Sequence, residues 1–207
     1  STAERVMGFK SGEPYRQSAI EESLNRLRLS GLFADVGSAA IVPGNDPALS
    51  RLRVPVRETS SGNLTGIVGY SGADKRFEGD LNFHLRNIAG TGRELRARWS
   101  ARQKASTLYA LGYREPWLLG RPVDLAFNLE HVLFDTLYTR TRIDVALEWR
   151  PVHRLTLKGG VGRDRAVVTS VIRRSEGSLR ILGGVVYDAR DSKFFARGLD
   201  YYTQTVF

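Results

Sequence analysis

Glu94-Leu-Arg-Ala-Arg-Trp-Ser-Ala-Arg102 decides the fold. Leu95, Ala97, Trp99 and Ala101 alternate one for one with Glu94, Arg96, Arg98, Ser100 and Arg102. A period of two sends successive side chains to opposite faces of a strand, so this stretch predicts a strand with one apolar and one charged face. The habit recurs in both directions. Val123, Leu125, Phe127 and Leu129 alternate with Asp124, Asn128 and Glu130. Ile143, Val145, Leu147 and Trp149 alternate with Arg142, Asp144, Glu148 and Arg150, and Leu155 and Leu157 with Arg154, Thr156 and Lys158. Leu199, Tyr201, Thr203 and Phe207 continue it to the end. Turns are expected at Gly72-Ala-Asp-Lys, Gly90-Thr-Gly-Arg, Gly120-Arg-Pro and Arg150-Pro, which leaves about nine strands of roughly ten residues between them.

Strands of this length and period suit a transmembrane β-barrel, whose tilted strands need about 9–11 residues. Trp99, Tyr109, Tyr113, Trp117, Tyr138, Trp149 and Tyr187 are candidates for its aromatic girdles. A soluble β-sandwich or lipocalin-like barrel has the same period with its apolar face turned inward. The mixture of charge signs on the polar face favours a wet lumen, where Arg and Asp/Glu of neighbouring strands can pair.

The first sixty residues read differently. Gly12-Glu-Pro-Tyr is a helix start, with Pro14 near the first helical position. Ile20, Leu24 and Leu27 form an apolar stripe ended by Ser30-Gly31, with the glycine as left-handed cap. Leu32-Phe-Ala-Asp-Val is expected to carry a short helix or turn into a strand near residues 37–42. Pro43-Gly-Asn-Asp-Pro47 is a turn by composition. Leu52, Val54 and Val56 alternate with Arg51, Arg53 and Arg57 as a second strand. The order is a small α+β module that lacks a first strand.

Bulk properties narrow the classes. At 207 residues, 42% apolar and 26% charged, the chain can build a folded domain. Its longest apolar run, Ile181-Leu-Gly-Gly-Val-Val-Tyr187, falls far short of the roughly 18 residues of a spanning helix. The net charge of +9 comes from 26 arginines against 5 lysines. These recur at alternate strand positions and do not cluster in one arm or helix, so no nucleic-acid partner is expected. There is no cysteine. His84, His131 and His153 show no ligand spacing, so no metal or other cofactor is expected. No Gly-x-Ser-x-Gly is present, Gly90-Thr-Gly-Arg lacks the Gly-Lys-Ser/Thr ending of a phosphate loop, and Asp188-Ala-Arg190-Asp191 reads as a salt-bridged turn. No catalytic residue is assigned and the chain is expected not to be an enzyme. The opening Ser1-Thr-Ala-Glu-Arg-Val lacks the apolar stretch of a signal peptide, so an internal fragment is expected.

Several phrases, in order, resemble the BamA/TamA superfamily of outer-membrane protein assembly factors, also called bacterial surface antigens. Gly12-x-x-Tyr15, Ile20, Arg26-Leu27 and Ser30-Gly31-Leu32-Phe33-x-x-Val36 resemble the helix-and-turn signature of a POTRA repeat, and Leu52-Arg-Val-Pro-Val-Arg-Glu58 its closing strand. Phe77-Glu-Gly-Asp-Leu81 with Leu85-Arg-Asn-Ile-Ala-Gly-Thr-Gly-Arg93 resembles the second strand and first periplasmic turn of the barrel. Tyr113-Arg-Glu-Pro-Trp117-Leu-Leu-Gly resembles the next turn, and Tyr187-Asp-Ala-Arg-Asp191 with Gly198 a turn about halfway round. The family's Val-Arg-Gly-Phe/Tyr lid loop is absent. The resemblance implies a mainly β fold, with residues 1–60 the C-terminal part of a POTRA module and residues 61–207 the N-terminal half of an antiparallel transmembrane barrel.

It also implies an outer-membrane location with the POTRA part in the periplasm. The implied partners are unfolded outer-membrane or secreted proteins, the lipid bilayer and lipopolysaccharide, and accessory lipoproteins or a periplasmic partner. The work would be insertion or translocation without bond chemistry. Two candidate sites follow. Gly62, Gly66, Gly69 and Gly72 weaken one strand and mark it as a lateral gate, or else only make room for curvature or close contacts. Leu52, Val54 and Val56 mark a POTRA edge open to strand addition, as does the strand near residues 37–42. A partner-secretion transporter of the same superfamily, a passive anion-preferring pore lined by arginine, and a POTRA adaptor with the barrel as anchor are the alternatives.

Overall fold

The computed structural model describes residues 2–8, 12–44, 49–59, 62–73, 75–103, 106–134, 138–152, 154–169, 173–188 and 198–206. The N-terminal part holds helices α1 (Thr2–Met7) and α2 (Gln17–Leu29) and strands β1 (Phe33–Val36), β2 (Ala40–Pro43), β3 (Ser50–Arg53) and β4 (Val56–Glu58). The stripe on α2 does what its spacing predicts: Ile20, Leu24 and Leu27 are buried with Met7, Phe33 and Val36 in one cluster. Leu27, fully buried, removes enough apolar area from water to be worth roughly 1.5–3 kcal/mol. Gly31, at φ 73°, follows the last turn as expected.

Three expectations for this part change. α2 begins at Gln17 behind Arg16, so Pro14 lies outside the helix. Phe33–Val36 is itself a strand and not a helix or turn; the following strand begins only at Ala40. The strand expected from Leu52 through Val56 is divided. Leu52 in β3 pairs with Ile41 of β2, whereas Val56 in β4 pairs with Val36 of β1. Pro55 explains the break: it has no N–H to extend a ladder, and its carbonyl accepts from the Gly37 N–H at 2.9 Å. The described residues therefore hold two helices and two separate two-stranded sheets, and the POTRA reading is not confirmed. Of the Pro43-to-Pro47 turn, residues 45–47 lie outside the described residues; the Gly44 N–H closes on the Leu49 carbonyl at 3.0 Å.

The rest is one antiparallel meander. β5 (Gly62–Ser71), β6 (Arg76–Ile88), β7 (Arg93–Gln103), β8 (Ser106–Glu115), β9 (Val123–Phe134), β10 (Tyr138–Val152), β11 (Leu155–Thr169), β12 (Arg173–Asp188) and β13 (Gly198–Val206) pair in sequence order. A 3-10 turn, Leu118–Gly120, joins β8 to β9. No helix among the described residues is long and apolar enough to cross a membrane. The nine-stranded sheet leaves the outer edges of β5 and β13 unpaired among the described residues, and it does not close. Arg150-Pro151 is not a turn. β10 runs on to Val152 with a ladder irregularity after Trp149, the kind of place where a residue without an N–H is tolerated. The Asp188-to-Asp191 turn falls outside the described residues after Asp188.

Register assigns the faces. One row runs Leu64, Phe83, Ala97, Leu111, Leu129, Ile143, Arg163 and Leu179 across eight strands. The next row on the other face reads Thr65, Asn82, Arg98, Ala110, Glu130, Arg142, Asp164 and Ser178. Burial is the reverse of a water-soluble sheet. Val161 is 57% exposed, while Asp124 on the polar face is 1% exposed. The apolar face looks outward and the charged face is sheltered. Trp99, Tyr109, Tyr113, Trp149 and Tyr187 share the outward face, whereas Tyr138 falls on the polar face and Trp117 in the β8–β9 turn.

The N-terminal part sits at one end of this sheet. Thr2 Oγ1 donates to the Gly90 carbonyl in the β6–β7 turn, and the Leu32 side chain lies beside Gly92 of the same turn. The last residues of β5, β7, β9 and β11 are at the opposite end.

Candidate functional site

β5 carries three of the four candidate glycines, and Gly72 follows in the turn. It is an edge strand, exposed at Gly62 through Tyr70. It holds no charged residue, whereas each of the other eight strands of the sheet holds at least one. Charges on an edge are a common defence against an added strand, and β5 lacks that defence. Its backbone is extended, with a continuous ladder to β6 from Gly62–Leu85 to Ser71–Arg76.

The four glycines are not equivalent. Gly66 has φ 157°, in a region open essentially to glycine alone. A Cβ there would overlap the Asp80 carbonyl and the Leu81 backbone of β6. Gly79 on β6, at φ 154°, is its counterpart: a Cβ there would overlap the Ile67 carbonyl and the Val68 backbone. At these two points the strands approach so closely that side chains do not fit. Gly69 and Gly72 have open space where a Cβ would be. β5 is thus tightly seated on β6 while its other edge is free among the described residues.

Leu52, Val54 and Val56 do not act together. Leu52 and Val54 pack against the helical core from one side, and Val56 is exposed on β4. Residues 40–42 of the expected neighbouring strand belong to β2.

The sheltered face is a ladder of ion pairs that sequence spacing alone did not locate. Asp124 is its best-held member. Its carboxylate lies 2.9 Å from Arg114 on β8 and 2.7 Å from Arg150 on β10, and it accepts from the Trp117 N–H at 3.2 Å. Trp117 is in the left-handed region at φ 50°, and the Arg150 guanidinium lies 5.7 Å from its ring centre. So one carboxylate ties the β8–β9 turn to three strands. Elsewhere Asp164 binds Arg142 at 3.0 Å and also Arg140, Glu148 binds Lys158 at 3.1 Å and also Arg114, and Arg98 binds Asp80 at 3.2 Å. Asp144 reaches over Gly162 to Arg180 at 3.0 Å. His84 pairs with Glu94, and His131 Nδ1 lies 2.8 Å from Thr141 Oγ1; His153 is outside the described residues.

Exposed apolar wall, sheltered charges and sequential antiparallel strands define a segment of an outer-membrane-type β-barrel. The chain is similar to a Treponema pallidum (strain Nichols) protein named "Putative outer membrane protein assembly factor", 29% identical over 134 residues, 61% of this chain and 15% of that protein. Among solved structures it is similar to BamA from Haemophilus ducreyi lacking POTRA domains 1-3, with a TM-score of 0.66 and 16% identity. That match covers all of this chain and 45% of the other. No family model matches the chain. The structural likeness shows the fold, that of a BamA barrel wall, and the sequence likeness is to a protein named for outer-membrane assembly. The chain spans less than half the length of either protein.

Proposed function

We propose that this chain is part of an outer-membrane protein assembly factor that receives unfolded outer-membrane chains and releases them into the bilayer along its β5 edge. The observation that carries the reading is the inverted burial of the sheet, apolar outside and charged within, which is stable only against lipid. In this reading the N-terminal part is the end of a POTRA module. On this reading it belongs to the periplasmic side, and its contact with the β6–β7 turn, which resembles the family's first periplasmic turn, supports that. The edges of β3, β4 and β5 that are unpaired among the described residues offer successive backbone ladders to an incoming strand, and main-chain hydrogen bonds supply affinity without a sequence requirement. No bond is made or broken and no cofactor takes part.

The passive anion-preferring pore has less support. Its arginines would have to face the lumen unpaired, yet Arg98, Arg114, Arg140, Arg142, Arg150 and Arg180 are each tied to a carboxylate. The test is photo-crosslinking in the full-length protein reconstituted in vesicles, with the reactive group at Leu64 or Ile67 of β5 and an unfolded outer-membrane chain as substrate. Crosslinks at β5 and none at the mid-sheet position Leu129 are expected. Equal labelling at all three positions refutes the β5 route. If depletion of the protein in cells blocks export of one secreted partner and leaves barrel insertion intact, the partner-secretion transporter is the right member of the superfamily.

A further inference from the structure

The outward face of β11 reads Leu155, Leu157, Gly159, Val161 and then Arg163 and Arg165. The first four span about 20 Å along the strand, which at the usual barrel tilt is about 15 Å of the roughly 25 Å height of the apolar band of an outer-membrane barrel. On the neighbouring strands the apolar run ends one row later. Arg163 is flanked by Ile143 and Leu179, and Arg165 in the next row by Thr141 and Gly177. Arg163 therefore stands in the last apolar row of the wall and Arg165 in the row beyond it, at the end away from the N-terminal part.

Neither has a counter-ion among the described residues. On the sheltered face the arginines named above are in ion pairs. Arg163 and Arg165 are exposed, and no carboxylate of the described residues lies within ion-pair distance of either. Arg165 Nε has one weak contact, 3.4 Å from Ser175 Oγ. By register the only outward carboxylate in strands β5 to β12 is Glu115, at the opposite end and bound to Arg93 at 2.7 Å. An arginine on a lipid-facing wall is costly at mid-bilayer and tolerated at the headgroup level. Its planar fork matches a phosphate with two parallel hydrogen bonds. Two positions apart on one face, the pair is about 6.6 Å apart along the strand, so two forks can reach one phosphate group.

We infer that Arg163 and Arg165 bind the phosphate of an anionic lipid headgroup in the leaflet away from the N-terminal part. The inference rests on the membrane reading under Proposed function. Its test uses the full-length protein in vesicles of phosphatidylcholine with a minor share of phosphatidylglycerol, extracted gently and assayed for retained lipid. The wild type is expected to retain phosphatidylglycerol above its bulk share. R163Q/R165Q is expected to lose about ten-fold in that preference with its heat-sensitive gel shift unchanged, and R163K/R165K to keep an intermediate preference. Unchanged retention in the glutamine variant with normal insertion overturns the site alone. A wild type that never inserts overturns the membrane reading and the site with it. Saturation of the arginines by inorganic phosphate with no lipid preference overturns the lipid as occupant. The same holds for an acidic protein partner lost in the variant while lipid retention stays put.

Discussion

Asp124 holds two guanidinium groups and a backbone N–H while almost fully buried. Asp124→Asn keeps the shape and removes the charge, leaving Arg114 and Arg150 with a weaker acceptor. Both arginines are about one-third exposed, so water repairs part of the loss, and a cost of about 1–3 kcal/mol is expected. A lower temperature for loss of the heat-sensitive gel band, with near-normal expression, would show it. Gly66 and Gly69 give a paired prediction. Gly66→Ala forces a Cβ into the Asp80 carbonyl and should cost about 1–3 kcal/mol. Gly69→Ala meets nothing and should stabilise the strand by about 0.5–1 kcal/mol. Urea midpoints of the vesicle-folded protein measure both; a shared sign refutes the distinction. A run of four glycines, three in β5 and one just after it, is legible in sequence. Which of them is sterically required is not, since that depends on where the backbone of β6 passes. Asp124 is illegible for a similar reason: it looks like any lumen acid until register sets Arg114 and Arg150 beside it.

Among the elements, β7, β9, β10 and the start of β11 were readable because polar and apolar residues alternate in them, whereas β8 carries no charge before Arg114 and shows no such alternation. The first turns fell where Gly-rich phrases stood, and the Arg150-Pro turn did not, because proline marks an interrupted ladder as readily as a chain reversal. The N-terminal part was harder. α1 has six residues, too few to show a helical period, and Pro55 turned one alternating run into two strands of different sheets. β5 yields the functional prediction at this scale. Ile67→Lys or Leu64→Lys puts a cation on a strand that carries none, the device by which natural edges resist pairing. Under the proposed function, outer-membrane chain insertion should fall several-fold in a reconstituted assay while the protein itself still folds. An unchanged rate would mean that β5 does not receive the substrate.

At the scale of the molecule, period-two alternation could not say which face meets water, because a soluble sandwich and a membrane barrel share it. The exposures decide: charges sheltered, large apolar side chains out. A sheet with nine strands and two outer edges unpaired among the described residues cannot be left open in lipid, where each unsatisfied backbone group costs several kcal/mol. These 207 residues expressed alone and folded in detergent should therefore self-associate. Light scattering that shows a monomer with the heat-sensitive gel shift of a closed barrel would contradict this. The close passage at Gly66 and Gly79 bears on closure itself. A slip of one residue between β5 and β6 would turn Leu64, Val68 and Tyr70 toward the ion pairs and Thr65 toward lipid. A slip in either direction also drives a Cβ into the space each glycine leaves for its partner's backbone. The two glycines act as a detent that lets the first hairpin click into a single alignment. Since the girth and strand tilt of a barrel follow from its summed stagger, these two glycines fix the β5–β6 increment of that sum.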